Sequence, residues 1–448
     1  MLLRKIPTYF SKRTLVSILV TIALFSLFKY VGFNHVRKLP KVRAPFEDLT
    51  FESIDDQHET FAVSAYLEQN RRLVRIFLLK KITVDPLIYC LYVGNTKTDV
   101  RNILSNSMET FAFGRRKFGF RNLTEPSGPY RGFVIFCRIP PKLLTSISRG
   151  TVSVALHLGN ASPKPPVILP IRLGFPLNEI QIIPSSVGLC VTPSSEQQLR
   201  LASSYFLEYI ELNRLNGIEL ILFYLNRDSS HDIKQILSSY LQYPSLALNG
   251  SFHVQVIPWS LPSRINNSHL LPFTQNLLYN DCIFRIAQQV GFIFHTNLAE
   301  IFVPNQFGTK RVQLKWPDIL HIVRTKKYRG KFSSCLPTRF AFPPRNTTET
   351  ESIFDRNRVT IRSYSTRQKC LTRSDKVQEV YLHRPIRPKA FNYAPELGTV
   401  FNYGTCEETD YEPCRMDKYY TLNSQLQSYQ SAVKSAVTQR LRILPAEL

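Results

Sequence analysis

The residues best placed for chemistry follow an apolar run near the middle of the chain. The apolar residues at 292–294 lead into the sequence HTNLAE at 295–300, and a second apolar run at 301–303 ends at Pro304. This pattern predicts a short buried strand followed by a polar turn. In open α/β sheets, ligands bind where strands end, so Asn297 and Glu300 are candidate site residues. Taken alone, the pattern favours an ordinary core strand and its turn, because periodicity carries no chemistry.

The amino-terminal region contains a candidate membrane anchor. An uncharged, mostly apolar run extends from Thr14 to Phe28 and, after Lys29, continues to Phe33. A helix of about 20 such residues spans a bilayer, so residues 14–33 are predicted to be a transmembrane signal-anchor that follows a tail at 1–13. A cleaved signal peptide is the alternative, but no clear small-x-small cleavage site follows the run. Basic residues flank both ends, so charge does not fix the orientation.

Glycosylation sequons and cysteines predict a lumenal body. All Asn-x-Ser/Thr acceptors follow the span, and they are Asn122, Asn160, Asn249, Asn266 and Asn346. All 8 cysteines follow it as well. This combination favours an oxidising lumen and therefore a single-pass type II orientation. Eight cysteines allow 105 connectivities, so the pairing is left open. Cys406 and Cys414 are the natural local pair, whereas Cys90, Cys137 and Cys190 have the alternative of being buried free thiols.

The charge balance is strongly basic, with 57 Lys and Arg against 33 Asp and Glu, a formal net charge of +24. Such a surface favours anionic partners in general, among them nucleic acids, membranes and sugar nucleotides. A lumenal body has no access to nucleic acid, and the sequence has no zinc-finger spacing or Walker loop. We therefore expect no nucleic-acid partner. Most of the charge is accounted for by a solvated surface.

Beyond the anchor, the chain divides into two patterns. Residues 34–49 read as a basic stem, and residues 50–184 contain short apolar runs separated by turn residues, which predicts a β-rich lumenal domain of sandwich type. Residues 185–448 alternate strands with helices, which predicts an α/β domain with a mostly parallel sheet and flanking helices. The predicted strands are 187–193, 218–226, 253–259 and 291–294, and the predicted helices are 196–215, 232–241, 275–289 and 424–441.

Four ordered motifs in the second half resemble glycosyltransferase family 92. They are CVTP at 190–193, FLEYIELNRLNG at 206–217, NDCIFR at 280–285 and HTNLAEIFVP at 295–304. The sequence AVSAY at 62–66 also resembles the opening of family members, so the resemblance extends over about residues 60 to 410. It implies a GT-A fold, and transfer of a sugar from a UDP-sugar, typically UDP-galactose, to a glycan acceptor. It also implies a Golgi location.

The resemblance assigns roles to particular residues. The family's Asp-x-Asp-Glu pattern holds a divalent metal, usually Mn²⁺, and its two aspartates fall on Asn297 and Ala299, while Glu300 keeps its carboxylate. Asn297 and Glu300 are therefore the candidate metal ligands. Donor binding falls to Thr192, Asp281, Arg285 and Asn297. The candidate catalytic residues are Glu300 and His383, because His383 resembles a late family histidine.

Loss of the two aspartates leaves three interpretations. Metal can still bind through Asn297 and Glu300, transfer can proceed without metal against basic side chains, or catalysis can be lost. The family's His-Tyr-Arg near the end is replaced by Asn402, Tyr403 and Gly404, which is a further departure. An inactive relative would bind glycans or partner proteins through the same scaffold, and an adhesion ectodomain would need no strand-end pocket.

Overall fold

The structure is a computed structural model of the chain. It describes residues 49–442 apart from 56, 58, 69–70, 82, 84–87, 95–109, 118–129, 159–165, 175–185, 194–205, 227–228, 243–251, 263–264, 266–270, 308–311, 325–332, 343–351, 356–357, 361–363, 378, 382–383, 388–390, 404–419 and 423–425. The predicted tail, anchor and nearly all of the stem lie outside this part. So do all five predicted glycosylation sites and His383. No helix in the described ranges is both long and apolar enough to cross a bilayer.

The first half forms a closed β-sheet. Its strands are β1 (Glu52–Ser53), β2 (Thr60–Glu68), β3 (Leu73–Lys81), β4 (Ile88–Gly94), β5 (Thr110–Lys117), β6 (Tyr130–Arg138), β7 (Val152–Leu158) and β8 (Val167–Leu173). The spatial order is β1-β2-β3-β6-β5-β4-β7-β8, and an additional β2–β8 pairing closes the ring. The start of β2 pairs with β1 and its end with β8. A sandwich was expected, but the length of β2 lets one strand serve both neighbours, so the sheet closes on itself.

The second half begins with four parallel strands. They are β9 (Val187–Thr192), β10 (Leu220–Asn226), β11 (His253–Trp259) and β12 (Phe292–Asn297), in the order β11-β10-β9-β12. The described helices of the chain are α1 (Leu144–Ser148), α2 (Phe206–Leu215), α3 (His231–Gln242), α4 (Leu271–Ile286), α5 (Trp316–Arg324) and α6 (Gln430–Leu441). Short 3₁₀ segments lie at Pro141–Leu143, Ile353–Asp355, Pro395–Leu397 and Leu426–Tyr429. Gly217 ends α2 with φ +90°, a conformation that side chains with a Cβ rarely adopt.

The later strands extend this sheet with mixed orientations, apart from two separate two-stranded sheets at residues 306–313 and 379–387. They are β13 (Glu300–Pro304), β14 (Gln306–Phe307), β15 (Val312–Gln313), β16 (Ser333–Phe342), β17 (Arg358–Thr360), β18 (Tyr364–Arg373), β19 (Glu379–Tyr381), β20 (Arg384–Arg387), β21 (Phe391–Tyr393), β22 (Gly398–Asn402) and β23 (Tyr420–Leu422). β18 pairs antiparallel with β12, and β16 pairs antiparallel with β18. The α/β class is confirmed, but the sheet is mixed instead of mostly parallel.

Helix α4 lies against both halves. Phe284 on α4 contacts Tyr66 and Phe77 of the closed sheet, with ring centroids 5.5 and 5.7 Å away. One apolar cluster contains residues of β2 and β3 together with residues of α4 and β10. Asp48–Leu448 accordingly forms one compact unit. Burial of this shared apolar surface stabilises the two halves together.

Three disulfides lie in the described ranges. Cys90 pairs with Cys137, Cys190 with Cys282, and Cys335 with Cys370. The alternative of free thiols at Cys90, Cys137 and Cys190 is therefore wrong. The second bond fastens β9 to α4 two residues before the end of the strand. The predicted local pair Cys406 and Cys414 lies outside the described residues.

Candidate functional site

Two of the predicted site residues are neighbours at the carboxyl ends of parallel strands. In the pairing of β9 with β12, Thr192 is directly opposite Asn297. The chain starts this sheet at β9, adds β10 and β11 on one side, and then adds β12 on the other. The strand order therefore reverses between β9 and β12. In open α/β sheets the crevice at such a switch point is where ligands bind.

The turn after β12 is held by its own polar groups. The Oδ1 atom of Asn297 accepts a hydrogen bond from the backbone N–H of Ala299 at 2.9 Å. The Oε2 atom of Glu300 accepts one from the backbone N–H of Asn297 at 3.0 Å. The backbone N–H of Tyr403 donates to the carbonyl of Ala299 at 2.6 Å. Glu300 also pairs in register with Asn402, so the segment that departs from the family's His-Tyr-Arg lies beside this turn.

Glu300 forms a buried ion pair with Lys369 of β18. The Nζ atom of Lys369 lies 2.8 Å from Oε2 of Glu300, and the two side chains are only 4% and 5% exposed. The ring of Tyr279 on α4 has its centroid 5.6 Å from the same Nζ atom. Burial opposes the positive charge, but Glu300 and Tyr279 hold the pKa of Lys369 above its ordinary value. The single acid that survives from the family pattern is therefore already neutralised.

Buried polar atoms surround this ion pair. Both ring nitrogens of His295 are buried and have no hydrogen-bond partner among the described residues, and the buried hydroxyl of Tyr279 lies beside the Thr192 hydroxyl and the Lys369 ammonium group. The rings of Tyr279 and His295 meet edge to face at 5.0 Å. Burial raises the pKa of Tyr279, although Lys369 and Thr192 beside it oppose that shift. A buried polar group without a partner costs about 1–3 kcal/mol, so this cluster is unfavourable unless something binds there.

His295 is held neutral. It is 3% exposed. Burial, and then the nearby charge of Lys369, lower its pKa to about 3. A neutral imidazole offers one donor and one acceptor. His295 belongs to the strand-end motif. The sequence alone does not assign it a role, because the pattern of apolar residues is the same whether a histidine in a strand is structural or functional.

Asp281 and Arg285 lie on another side of α4. Asp281 is fully buried and accepts hydrogen bonds from Ser64 and Tyr66 of the closed sheet, each at 2.6 Å, and from Tyr224 of β10. Arg285 completes the group, with Nε 3.0 Å from an oxygen of Asp281. Burial opposes the charge, but Arg285 and the hydrogen bonds hold the pKa of Asp281 below its ordinary value. These contacts join the two halves, while a direct contact of Asp281 or Arg285 with the donor stays a prediction.

The neighbouring residues of the same motif also fasten α4. Asn280 accepts from the backbone N–H of Val380 at 2.9 Å and donates to its carbonyl at 2.7 Å. Cys282 forms the bond to β9. The motif at 280–285 thus connects α4 to β19, to the closed sheet and to β9. The predicted catalytic residue His383 follows β19 but lies outside the described residues.

The residues at the turn do not fit a divalent metal. Among the described residues, no group of three or more His, Cys, Asp and Glu side chains is placed to hold an ion. The Asn297 amide oxygen is used by Ala299, whose own side chain has no ligand atom. Glu300 is paired with Lys369. The predicted Mn²⁺ site at Asn297 and Glu300 is therefore unsupported.

Lys369 was missed by sequence reasoning. It stands in β18 within the polar sequence YSTRQKCLTR, which offers no sign that one lysine is buried. Its contact with Glu300 depends on a strand pairing between distant parts of the chain. Tyr279 was missed for a similar reason, since an aromatic residue in a helix is usually a core residue.

A polar strand end at the switch point of an α/β sheet is typical of the α/β proteins that bind ligands at the sheet edge. The sequence model of glycosyltransferase family 92 matches residues 185–439, more than half of the chain, so the chain belongs to glycosyltransferase family 92. The family implies glycosyltransferase activity with a nucleotide-sugar donor and a glycan acceptor.

Comparisons beyond the family are distant. No curated protein matches the sequence significantly. The crystal structure of HddC from Yersinia pseudotuberculosis is similar at a TM-score of 0.28 and 9% sequence identity, covering 52% of this chain and 98% of that chain. A similarity of this size carries no conclusion about function.

Proposed function

We propose that the chain transfers galactose from UDP-galactose to a glycan acceptor, with the donor bound in the crevice between β9 and β12. The observation that supports the proposal is the pairing of Thr192 with Asn297 at the switch point of the sheet. The buried hydroxyls of Thr192 and Tyr279 and the ring nitrogens of His295 add donors and acceptors for a polar ligand at the same place.

The proposed reaction is a displacement at the anomeric carbon of the donor. The acceptor hydroxyl oxygen forms a new bond to that carbon, the bond to the diphosphate oxygen breaks, and UDP leaves with the bonding electrons. The acceptor proton passes to a general base, and we assign this role to His383. Glu300 was the other candidate, but its carboxylate is engaged by Lys369, so we assign it to holding the strand end.

The proposal includes a single-pass type II protein in the Golgi membrane, with residues 14–33 as the anchor and the body in the lumen. The position of every sequon and cysteine after residue 33 supports this orientation. Digestion with a peptide N-glycosidase should increase the electrophoretic mobility of the protein from secretory membranes. Protein that is resistant to the enzyme and exposed to added protease in sealed vesicles would contradict the orientation.

Calorimetric titration of the full chain in detergent with UDP tests donor binding, and hydrolysis and transfer assays with UDP-galactose test the reaction. UDP-glucose and UDP-N-acetylgalactosamine serve as competing donors. We expect UDP binding together with turnover that is fastest for UDP-galactose. Absence of UDP binding under all conditions would refute the proposal, while faster turnover of another donor would refute galactose alone.

Two matched threonine variants test whether UDP binds at the strand end. Thr192→Val removes a buried hydroxyl without changing the shape of the side chain, and we expect UDP affinity to fall by roughly 3- to 10-fold. Thr60→Val removes an equally buried hydroxyl from β2 of the closed sheet. The Thr60 variant should bind UDP as the unaltered protein does, and equal losses in both variants would contradict the assignment.

A second candidate is a non-catalytic family member that binds glycans or proteins. It is favoured by Ala299, which offers no ligand atom, and by the neutralised carboxylate of Glu300. Glycan binding without turnover of any sugar nucleotide would support this candidate. Measurable transfer from UDP-galactose would exclude it.

A further inference from the structure

A buried positive charge stands directly behind the strand end. Oε2 of Glu300 lies 2.8 Å from Nζ of Lys369, and the same oxygen accepts the backbone N–H of Asn297 at 3.0 Å. One carboxylate oxygen thus connects the ammonium group to the last residue of β12. The side chain of Asn297 is half-buried, whereas Lys369 and Glu300 are buried. The charge therefore lies beneath the surface at which the proposed donor binds.

The ammonium group has hydrogen-bonding capacity beyond this ion pair. A lysine carries three N–H donors, and Glu300 Oε2 accepts one of them. Tyr279 lies beside Lys369, and its hydroxyl interacts with the ammonium group and with Thr192 in the same cluster. His295 contributes two buried ring nitrogens that have no hydrogen-bond partner among the described residues. The ammonium and hydroxyl groups of this cluster can donate hydrogen bonds to the oxygens of an anionic ligand.

The balance of charge differs from that of the family pattern. Three carboxylates with one divalent ion leave one net negative charge at the turn. Here a single carboxylate, Glu300, is cancelled by the ammonium of Lys369, so the turn is neutral without any ion. The repulsion that a metal would relieve is thus already absent. A lysine also binds phosphate as a point charge in other proteins, and such a charge is weakly screened inside a protein.

We propose that Lys369 is a built-in cation that replaces the divalent metal, so that this chain binds nucleoside diphosphates independently of metal. The inference rests on the proposed function, since it concerns the same crevice between β9 and β12. Glu300 then serves to hold Lys369 and the turn, and it is not a metal ligand. In the transfer reaction the positive charge of Lys369 offsets the negative charge that develops on the departing diphosphate.

The charge of Lys369 is maintained against burial. The titratable groups around it are Glu300 and Tyr279, which raise its pKa, and His295, which stays neutral because its own pKa is lowered to about 3. Lys369 is therefore positively charged across the neutral and mildly acidic range. UDP binding in that pH range therefore requires no group of the cluster to gain or lose a proton.

The first test needs no variant. UDP is titrated by calorimetry into the full chain in detergent, once with EDTA and once with MnCl₂. We expect dissociation constants that agree within about twofold. Binding that requires Mn²⁺ would overturn the metal-independent site while leaving the proposed glycosyltransferase function intact. No binding under either condition would overturn the proposed function itself, and the inference with it.

Variants then test Lys369 directly. The double variant Lys369→Met with Glu300→Gln removes both charges, so no unpaired charge is left buried, and in EDTA we expect UDP affinity to fall by about 10- to 100-fold. Glu300→Gln alone leaves the ammonium buried without its carboxylate, so stability should fall, and this variant serves only to test whether Mn²⁺ binding depends on Glu300. Lys142→Met is the control, since Lys142 is exposed on the 3₁₀ segment next to α1 and the change in net charge is that of a single lysine.

The changes in UDP affinity among these variants decide whether Lys369 acts as the cation or Glu300 acts as a metal ligand. A stable double variant that binds UDP as the unaltered protein does would overturn the role of Lys369. Loss of Mn²⁺-enhanced binding in Glu300→Gln would show that Glu300 is a metal ligand and would also overturn it. Melting temperatures of the double variant and the Lys142 variant close to that of the unaltered protein establish that differences in affinity arise at the site.

Discussion

Because His295 is neutral in the folded protein, we predict that the free energy of unfolding falls at acidic pH. The size of the loss follows from the shift in its pKa. Its folded pKa is about 3, against an ordinary value of 6.5. Between these values the unfolded chain binds one proton more at this position than the folded chain does, so stability falls as the pH drops below 6.5. One unit of pKa shift corresponds to roughly 1.4 kcal/mol, so lowering the pH from 6.5 to 5 should cost about 2 kcal/mol through this group alone.

The substitution His295→Gln removes the titration and keeps a neutral polar side chain of similar size. Urea unfolding of the unaltered protein and the variant, measured at pH 6.5, 6 and 5, gives the difference in unfolding free energy at each pH. We expect this difference to change by about 2 kcal/mol in favour of the variant between pH 6.5 and 5.

Parallel pH profiles for the unaltered protein and the His295 variant would refute the reasoning. That result would mean that the imidazole is protonated in the folded protein, or that it has water and protein partners that compensate its burial. In either case the cluster around Lys369 would be more polar than its contacts indicate.

Three further predictions concern the groups that hold the site together. Lys369→Met leaves the Glu300 carboxylate buried without its cation, so urea titration should show a loss of about 3–5 kcal/mol, and adding Glu300→Gln should recover most of it; equal losses in both would contradict the ion pair. Asp281→Ala leaves the Arg285 guanidinium buried without its carboxylate, and a loss of similar size, about 3–5 kcal/mol, is expected in the same measurement; a change below about 1 kcal/mol would show that the group does not join the two halves. Cys190→Ser breaks the bond to α4 and should lower the unfolding free energy by about 2–4 kcal/mol under oxidising conditions, with no such difference once both proteins are reduced.

The periodic elements of the second half were predictable because their apolar patterns are local. The strand at 253–259 has the predicted bounds, and the helix predicted at 232–241 spans His231–Gln242. The order of strands and helices also brought Thr192 and Asn297 to the same edge of the sheet, as α/β topology requires. Local pattern and family motif together were therefore enough to locate the strand end.

Long-range pairings were not predictable. The closure of β2 onto β8 produces the same alternation along each strand as a sandwich does, so periodicity cannot distinguish the two. The ion pair of Glu300 with Lys369 depends on how β18 continues the sheet, and no local signal reports it. The motif at 280–285 was assigned to donor binding from resemblance, while the described hydrogen bonds of Asp281 are to protein groups of both halves.

The contacts of α4 with both halves determine whether one half can be expressed without the other. A fragment beginning at residue 185 would contain the whole family match. It would, however, expose the apolar side chain of Phe284 and the charged side chain of Asp281, both of which contact Tyr66 in the full chain. Such a fragment should be insoluble on its own and should recover when the missing half is supplied as a separate polypeptide. The β-rich half is thus required for the half that matches the family to remain soluble, whether it is joined to it or supplied separately.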